Sequence, residues 1–304
     1  PPSEIWKVRP DAVIGGEGKN WDDAFSTLDE ALQVAYNGDE IWVTAGTYTS
    51  GTSSFFVKSG VKLYGGFVGI EESLEERNWA DNKTILTVVE GSRNSSVVVF
   101  SNASEETVLN GFTITGGDGN SGGGLNIANA SPQITNCIIS DNNGVYGGGV
   151  AINTSSSQDV AHPKFINCII AHNNTRATGT GGGVLIQGKL ASATLTNCII
   201  FDNKQFRINQ GAGGILAKGW GDAPDPHGTL TITNSIIWGH IYDGIATQFK
   251  DDQVTITYSN IEDGWEAGGE GNINANPLFA NPGEGDFRML SSSPSIDAGN
   301  NDAI

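Results

Sequence analysis

Apolar runs of four to six residues, broken by Asn, Asp and Gly, recur along most of this chain. Four share one core: TNCIISDNN at 135–143, INCIIAHNN at 166–174, TNCIIFDNK at 196–204 and TNSIIWGHI at 233–241. Cys137, Cys168 and Cys198 are 31 and 30 residues apart, Ser235 and Ser259 continue the column after 37 and 24, and Phe112 precedes it by 25. A glycine-containing run follows Phe112 and then each of the four copies: GGGLNI at 122–127, GGGVAI at 147–152, GGGVLI at 181–186, GAGGILA at 211–217 and DGIATQF at 243–249. Such runs are too short for helices, and a period of roughly 20–50 residues in strand-like units is the signature of a solenoid. Each unit buries its apolar face only by stacking on its neighbours. The pattern predicts an all-β fold, a parallel β-helix solenoid.

Strand alternation assigns the faces. In Asn-Cys-Ile-Ile the Cys and the second Ile point inward and the first Ile points outward. Phe112, Cys137, Cys168, Cys198, Ser235 and Ser259 then form one interior ladder, and Ile114, Ile139, Ile170, Ile200, Ile237 and Ile261 a second. The Asn136, Asn167, Asn197 and Asn234 amides stack at the bend. The repeated tetrapeptide is therefore architecture, and its cysteines are small apolar filler rather than zinc ligands or disulfide partners. The outward Ile138, Ile169, Ile199 and Ile236 make an apolar ridge, either covered or used for self-association.

The ends break the pattern. In WDDAFSTLDEALQVAYNGDE, Trp21, Phe25, Leu28, Leu32 and Ala35 have helical spacing, with Asn20 as the expected cap and Asn37-Gly38 as the stop. An amphipathic helix there would close the open end of the stack. ANPLFANPGEGDFRMLSSSPSIDAG is rich in turn residues. The expected organisation is one continuous domain: cap helix and first coil over 1–50, regular coils over 51–265, and an irregular last coil over 266–304.

Charge removes whole classes of partner. The 304 residues hold 34 acidic and 16 basic side chains, a formal net charge of −18. That field repels phosphate backbones and anionic headgroups, which excludes nucleic acid, and no apolar run is long enough for a membrane span. The Pro-Pro start reads as a mature or trimmed terminus.

WDDAFSTLDEALQVAYNGDEIWVTAGTYT, GVKLYGGFVGIEESLEERNW, LNGFTITGGDGNSGGGLNI and NPLFANPGEGDFRMLSSSPSIDAG together resemble the secreted, pectate-lyase-like right-handed parallel β-helix proteins of bacterial surfaces. The resemblance spans nearly the whole chain. It implies a secreted or cell-surface location and a polysaccharide or surface glycan as partner. The roles it admits are structural or glycan-contacting protein, polysaccharide lyase, glycoside hydrolase and self-assembling surface subunit.

Chemistry must come from the outward columns. Asp141, His172 and Asp202 fall at one height on neighbouring rungs and form the candidate catalytic row, to hold a cation such as Ca²⁺ or to supply a general base. Asp141 and Asp202, two rungs or about 9–10 Å apart, match the spacing of an inverting glycosidase pair. The alternative is that all three are ordinary turn residues, followed by the Asn142, Asn173 and Asn203 ladder. Phe201 and Trp238, with His240 and Trp220 nearby, are the candidate ligand-binding residues, since exposed aromatic faces suit sugar rings. The competing expectation is that the 218–228 loop folds over them. A lyase would also need a basic proton acceptor, for which Lys164, Arg176, Lys204, Arg207 and Lys218 are available.

Overall fold

The structure, a computed structural model, describes residues 2–302 apart from 52, 207–210, 220–227, 249–252 and 266–267. Among them, short strands stack into three long parallel sheets of nine, eight and seven strands. One coil shows how: Gln133–Thr135 belongs to the nine-stranded sheet, Ile138–Ser140 to the eight-stranded sheet and Val150–Asn153 to the seven-stranded sheet. The chain then enters the next coil and pairs in parallel with the one before. Ile139 registers with Ile170, Ile170 with Ile200, Ile200 with Ile237 and Ile237 with Ile261. This is the expected parallel β-helix.

Its interior is a set of like-on-like ladders. Cys137, Cys168 and Cys198 are each 1% exposed, and Ile139, Ile170 and Ile200 are fully buried. Each side chain of that size contributes about 1.5–3 kcal/mol on leaving water. The thiols are free. Asn136, Asn167, Asn197 and Asn234 all have φ of 52–54° at the bend, a left-handed conformation that Asn tolerates and β-branched residues do not.

The two repeated motifs are mechanically coupled. Asn142, Asn173 and Asn203 point inward, fully buried. The Nδ2 of Asn173 donates to the carbonyl of Ile139 (2.9 Å) and that of Asn203 to the carbonyl of Ile170 (2.8 Å). The backbone N–H groups of Asn142 and Asn173 donate to Oδ1 of the asparagine one rung on, at 3.1 and 3.0 Å. A Cβ on Gly149 would lie 2.8 Å from the Asn173 amide, and one on Gly183 2.9 Å from that of Asn203. The glycine-led runs thus lack side chains because the asparagine ladder occupies that space.

The N-terminal cap differs from expectation. The first strand is Ile5–Val8, paired in parallel with the strand Glu40–Thr44, and the helix covers only Leu28–Val34. Thr27, not Asn20, is the N-cap, in a reciprocal capping box with Glu30. Asn20 instead accepts the N–H groups of Asp22 and Asp23, both at 3.0 Å, while Phe25 bridges to Val8 as extended chain. Helical spacing continued upstream into a segment that the sheet edge had claimed. Leu28, Ala31 and Leu32 are the buried face of the helix.

A three-stranded sheet, Asp118–Ser121, Asn143–Tyr146 and Asn174–Thr180, precedes the seven-stranded sheet in its coils. Near the C-terminus an antiparallel pair, Phe279–Asn281 with Asp286–Met289, folds back on the coils.

Candidate functional site

Asp141, His172 and Asp202 do share one column, with φ of 57°, 57° and 43°; Gly116, Gly239 and Asp263 at the same height are also left-handed. The backbone of the turn therefore selects these residue types before any chemistry does. His172 and Asp202 meet, with Nδ1 3.1 Å from Oδ2, and Lys204 Nζ lies 3.4 Å from the same oxygen. Asp141 is exposed and has no hydrogen bond to His172 among the described residues.

The expected ligand face is not open. Phe201 packs edge-on against Phe279 (5.6 Å between centroids) and Phe287 (5.5 Å), which also pack edge-on against each other at 5.4 Å. His172 touches Phe201 and Phe287, and its Nε2 lies 3.0 Å from the carbonyl oxygen of Pro282. The antiparallel pair thus roofs His172 and Phe201. Trp238 registers with Phe201 and is half-buried, and Trp265 packs on the core. Trp220, Arg207 and most of the 218–228 loop lie outside the described residues.

His240 is not a surface ligand group. It takes the place of Asn in the inward ladder: its Nδ1 accepts the Asn203 N–H at 3.2 Å, as Asn203 Oδ1 accepts that of Asn173. Its Nε2 is sealed from solvent, with no well-aligned hydrogen-bond partner among the described residues. Burial pulls the imidazole down to about 4.

The basic candidates are scattered. Arg176 is held by Asp118 (2.6 Å) in a cleft it shares with Arg93 and Asn143. Lys204 belongs to the roofed cluster, Lys164 is exposed, and Lys218 is lowered by burial. Among the described residues no three His, Cys, Asp or Glu side chains converge as a metal cluster would require. No helix among them is long and apolar enough to cross a membrane.

An open site lies elsewhere, and sequence reading passed over it. A groove of about 480 Å³ runs over the outer face of the seven-stranded sheet, lined by Ser121, Asn126, Tyr146, Asn153, Ser155 and Gln187 among others. Asn126 stands on the strand Leu125–Ala128 and Gln187 on Val184–Gln187; Ala128, Asn153 and Gln187 stand in register on successive rungs. Asn153 Nδ2 donates to Ser121 Oγ at 2.8 Å, while Asn129 and Ser155 bond reciprocally at 2.6 and 2.8 Å. Tyr146, also in the lining, is 47% exposed. The signal was present as the polar residues of the glycine-led runs, in GGGLNI and after GGGVAI and GGGVLI.

These features define a parallel β-helix with one roofed polar cluster and one open amide-lined groove. A model of the family described as "Protein of unknown function (DUF1565)" matches residues 14–260, and the chain belongs to that family. The chain is also similar to a solved structure described as "Crystal structure of pectate lyase Pel9A", at 12% identity and a TM-score of 0.41, covering 99% of this chain and 92% of that one. No curated protein matches.

Proposed function

We propose that this is an extracellular or cell-surface β-helix that contacts a glycan without cleaving it. The observation that carries the reading is the contrast between its two polar surfaces. The groove beside Tyr146 is open and four of its polar side chains, Ser121, Asn129, Asn153 and Ser155, are held by hydrogen bonds, whereas His172 and Asp202 bond to each other under Phe279 and Phe287. A general base needs access to a substrate proton, and this imidazole has both nitrogens next to protein oxygens. Polysaccharide cleavage by Asp141, His172 and Asp202 would require the antiparallel pair to move away.

The test is incubation of the protein with a polysaccharide panel, with and without Ca²⁺, following retention, new reducing ends and unsaturated uronate absorbance. Retention without product is expected. Product formation abolished by Asp202→Asn would replace this reading by the enzymatic one.

Self-assembly is the second reading. Ile138, Ile169 and Ile199 are half-buried on the outside, while Ile236 is covered beside Met289 and Ala298. The uncovered part of the ridge is a strip that a second copy would bury.

A further inference from the structure

Resting on the glycan-contact reading, we infer that the groove takes an uncharged polysaccharide and discriminates against polyuronates. None of its lining side chains carries a formal charge, although 16% of the chain is Asp, Glu, Lys or Arg. What the groove offers is amides and hydroxyls, which both donate and accept and so match sugar hydroxyls in either sense. The amides of Asn126 and Gln187 and the Tyr146 hydroxyl bond to no side chain or backbone group among the described residues, so their capacity remains for a ligand. Asn129, Ser155, Asn153 and Ser121 are held by the hydrogen bonds already given, which lowers the ordering cost of binding. Tyr146 presents a ring for the apolar face of one sugar.

A uronate would need the reverse. A carboxylate leaving water requires a cation or several donors aimed at it. The one formal charge hydrogen-bonded to a lining side chain among the described residues is negative: the Asp159 carboxylate, which accepts from Ser155 Oγ at 3.0 Å. Lys218 follows Gln187 in register but lies outside the lining, and burial disfavours its charged form. The two arginines of the neighbouring cleft sit at the opposite end of the same strands, beside Asp118 and Asn143 rather than Ser121 and Tyr146. The field of a chain with net charge −18 adds repulsion of any polyanion. Successive groove positions rise by one rung, about 4.8 Å, a step comparable to one pyranose ring.

The experiment is affinity electrophoresis of the intact protein through gels containing a neutral glucan, a galactomannan, polygalacturonate or alginate, at low and high salt. Retardation by at least one neutral polymer, little changed by salt, is expected. Tyr146→Ala and the double variant Asn126→Ala/Gln187→Ala should each weaken it by about tenfold or more, the loss typical of a central contact, with circular dichroism confirming the fold. Salt-sensitive retardation by the polyuronates alone would overturn the inference and leave the glycan reading standing. Retardation by none of the four would overturn both. Neutral binding indifferent to both variants would place the site outside this groove and overturn the inference.

Discussion

The Nε2 of His172 lies 3.0 Å from the carbonyl oxygen of Pro282, 110 residues further along the chain. On the other side of the ring, Nδ1 lies 3.1 Å from Asp202. A turn residue of the regular coils is thereby tied to the C-terminal antiparallel pair, and Phe201, Phe279 and Phe287 pack edge-on beside the tie. Among the described residues the pair itself meets the coils through a few aromatic contacts and the His172 hydrogen bond, with Asn260 and Asn234 tying down the chain on either side of it, whereas the coils are held by continuous ladders.

That difference gives the first prediction. Phe287→Ala removes edge-on contacts to Phe201 and Phe279, each worth about 0.5–1.5 kcal/mol beyond area burial. The pair spanning 279–289 should lose about 1–2 kcal/mol, and its amides should exchange roughly 5–30-fold faster. Coil amides around 138–140 and 169–171 should keep their wild-type rates. Uniform acceleration along the whole chain would show that roof and coils unfold as one unit.

The second prediction concerns the thiol column. Burial pushes Cys137 up to about 11 and raises Cys168 well above the usual thiol range, so little thiolate forms at neutral pH. Thiol reagents should leave all three cysteines unlabelled in folded protein and modify them once denatured. Cys168→Ala should cost about 1–2 kcal/mol through a small cavity. Rapid labelling of the native protein would contradict the inward assignment.

Where reading of the sequence succeeded and failed follows from how local each signal is. Cys137, Ile139 and Asn136 report their positions through spacing alone, because every rung imposes the same stack on them. The helix start was misplaced because Thr27–Glu30 and the bridge of Phe25 to Val8 compete with helical spacing that continues upstream. His240 looked like a surface group because one aligned position decides its face: counted from Trp238 in register with Phe201, it falls under Asn203. The roof over His172 was illegible, since it depends on a contact between residues 172 and 282 that no periodicity encodes.

The third prediction tests the outward ridge. Ile169 and Ile199 are half-buried and pair in register. Replacing both by Thr keeps β-branching and shortens each side chain by one carbon, so the loss should stay within about 1 kcal/mol per site. Sedimentation velocity of wild type and variant decides the assembly reading: a wild-type oligomer that becomes monomeric supports it, and monomers in both remove it. Loss of more than about 3 kcal/mol would mean that the ridge is core.

The last prediction turns on His240. Its Nδ1 accepts the Asn203 N–H, so protonating that nitrogen removes a ladder hydrogen bond and places a charge in a sealed space. Burial holds the native imidazole at about 4, whereas an unfolded histidine titrates near its ordinary 6.5. Between these values the unfolded chain binds the proton and the native chain does not, so stability must fall as pH falls. The contribution is fully present above about pH 6.5, declines through the window, and is gone below about 4. Its size is at most about 3.5 kcal/mol, since each unit of difference corresponds to about 1.4 kcal/mol. His240→Asn continues the ladder with an Oδ1 acceptor in place of Nδ1, as at 173 and 203, and cannot titrate. His162, also lowered by burial, is common to both chains and cancels in the difference. Urea midpoints measured at pH 7.5, 5.5 and 4.2 should converge for the two proteins at the highest pH and separate at the lowest, with the variant the more stable. Parallel midpoints across the whole range would mean that His240 is solvated in the native state and that the ladder does not extend to this rung.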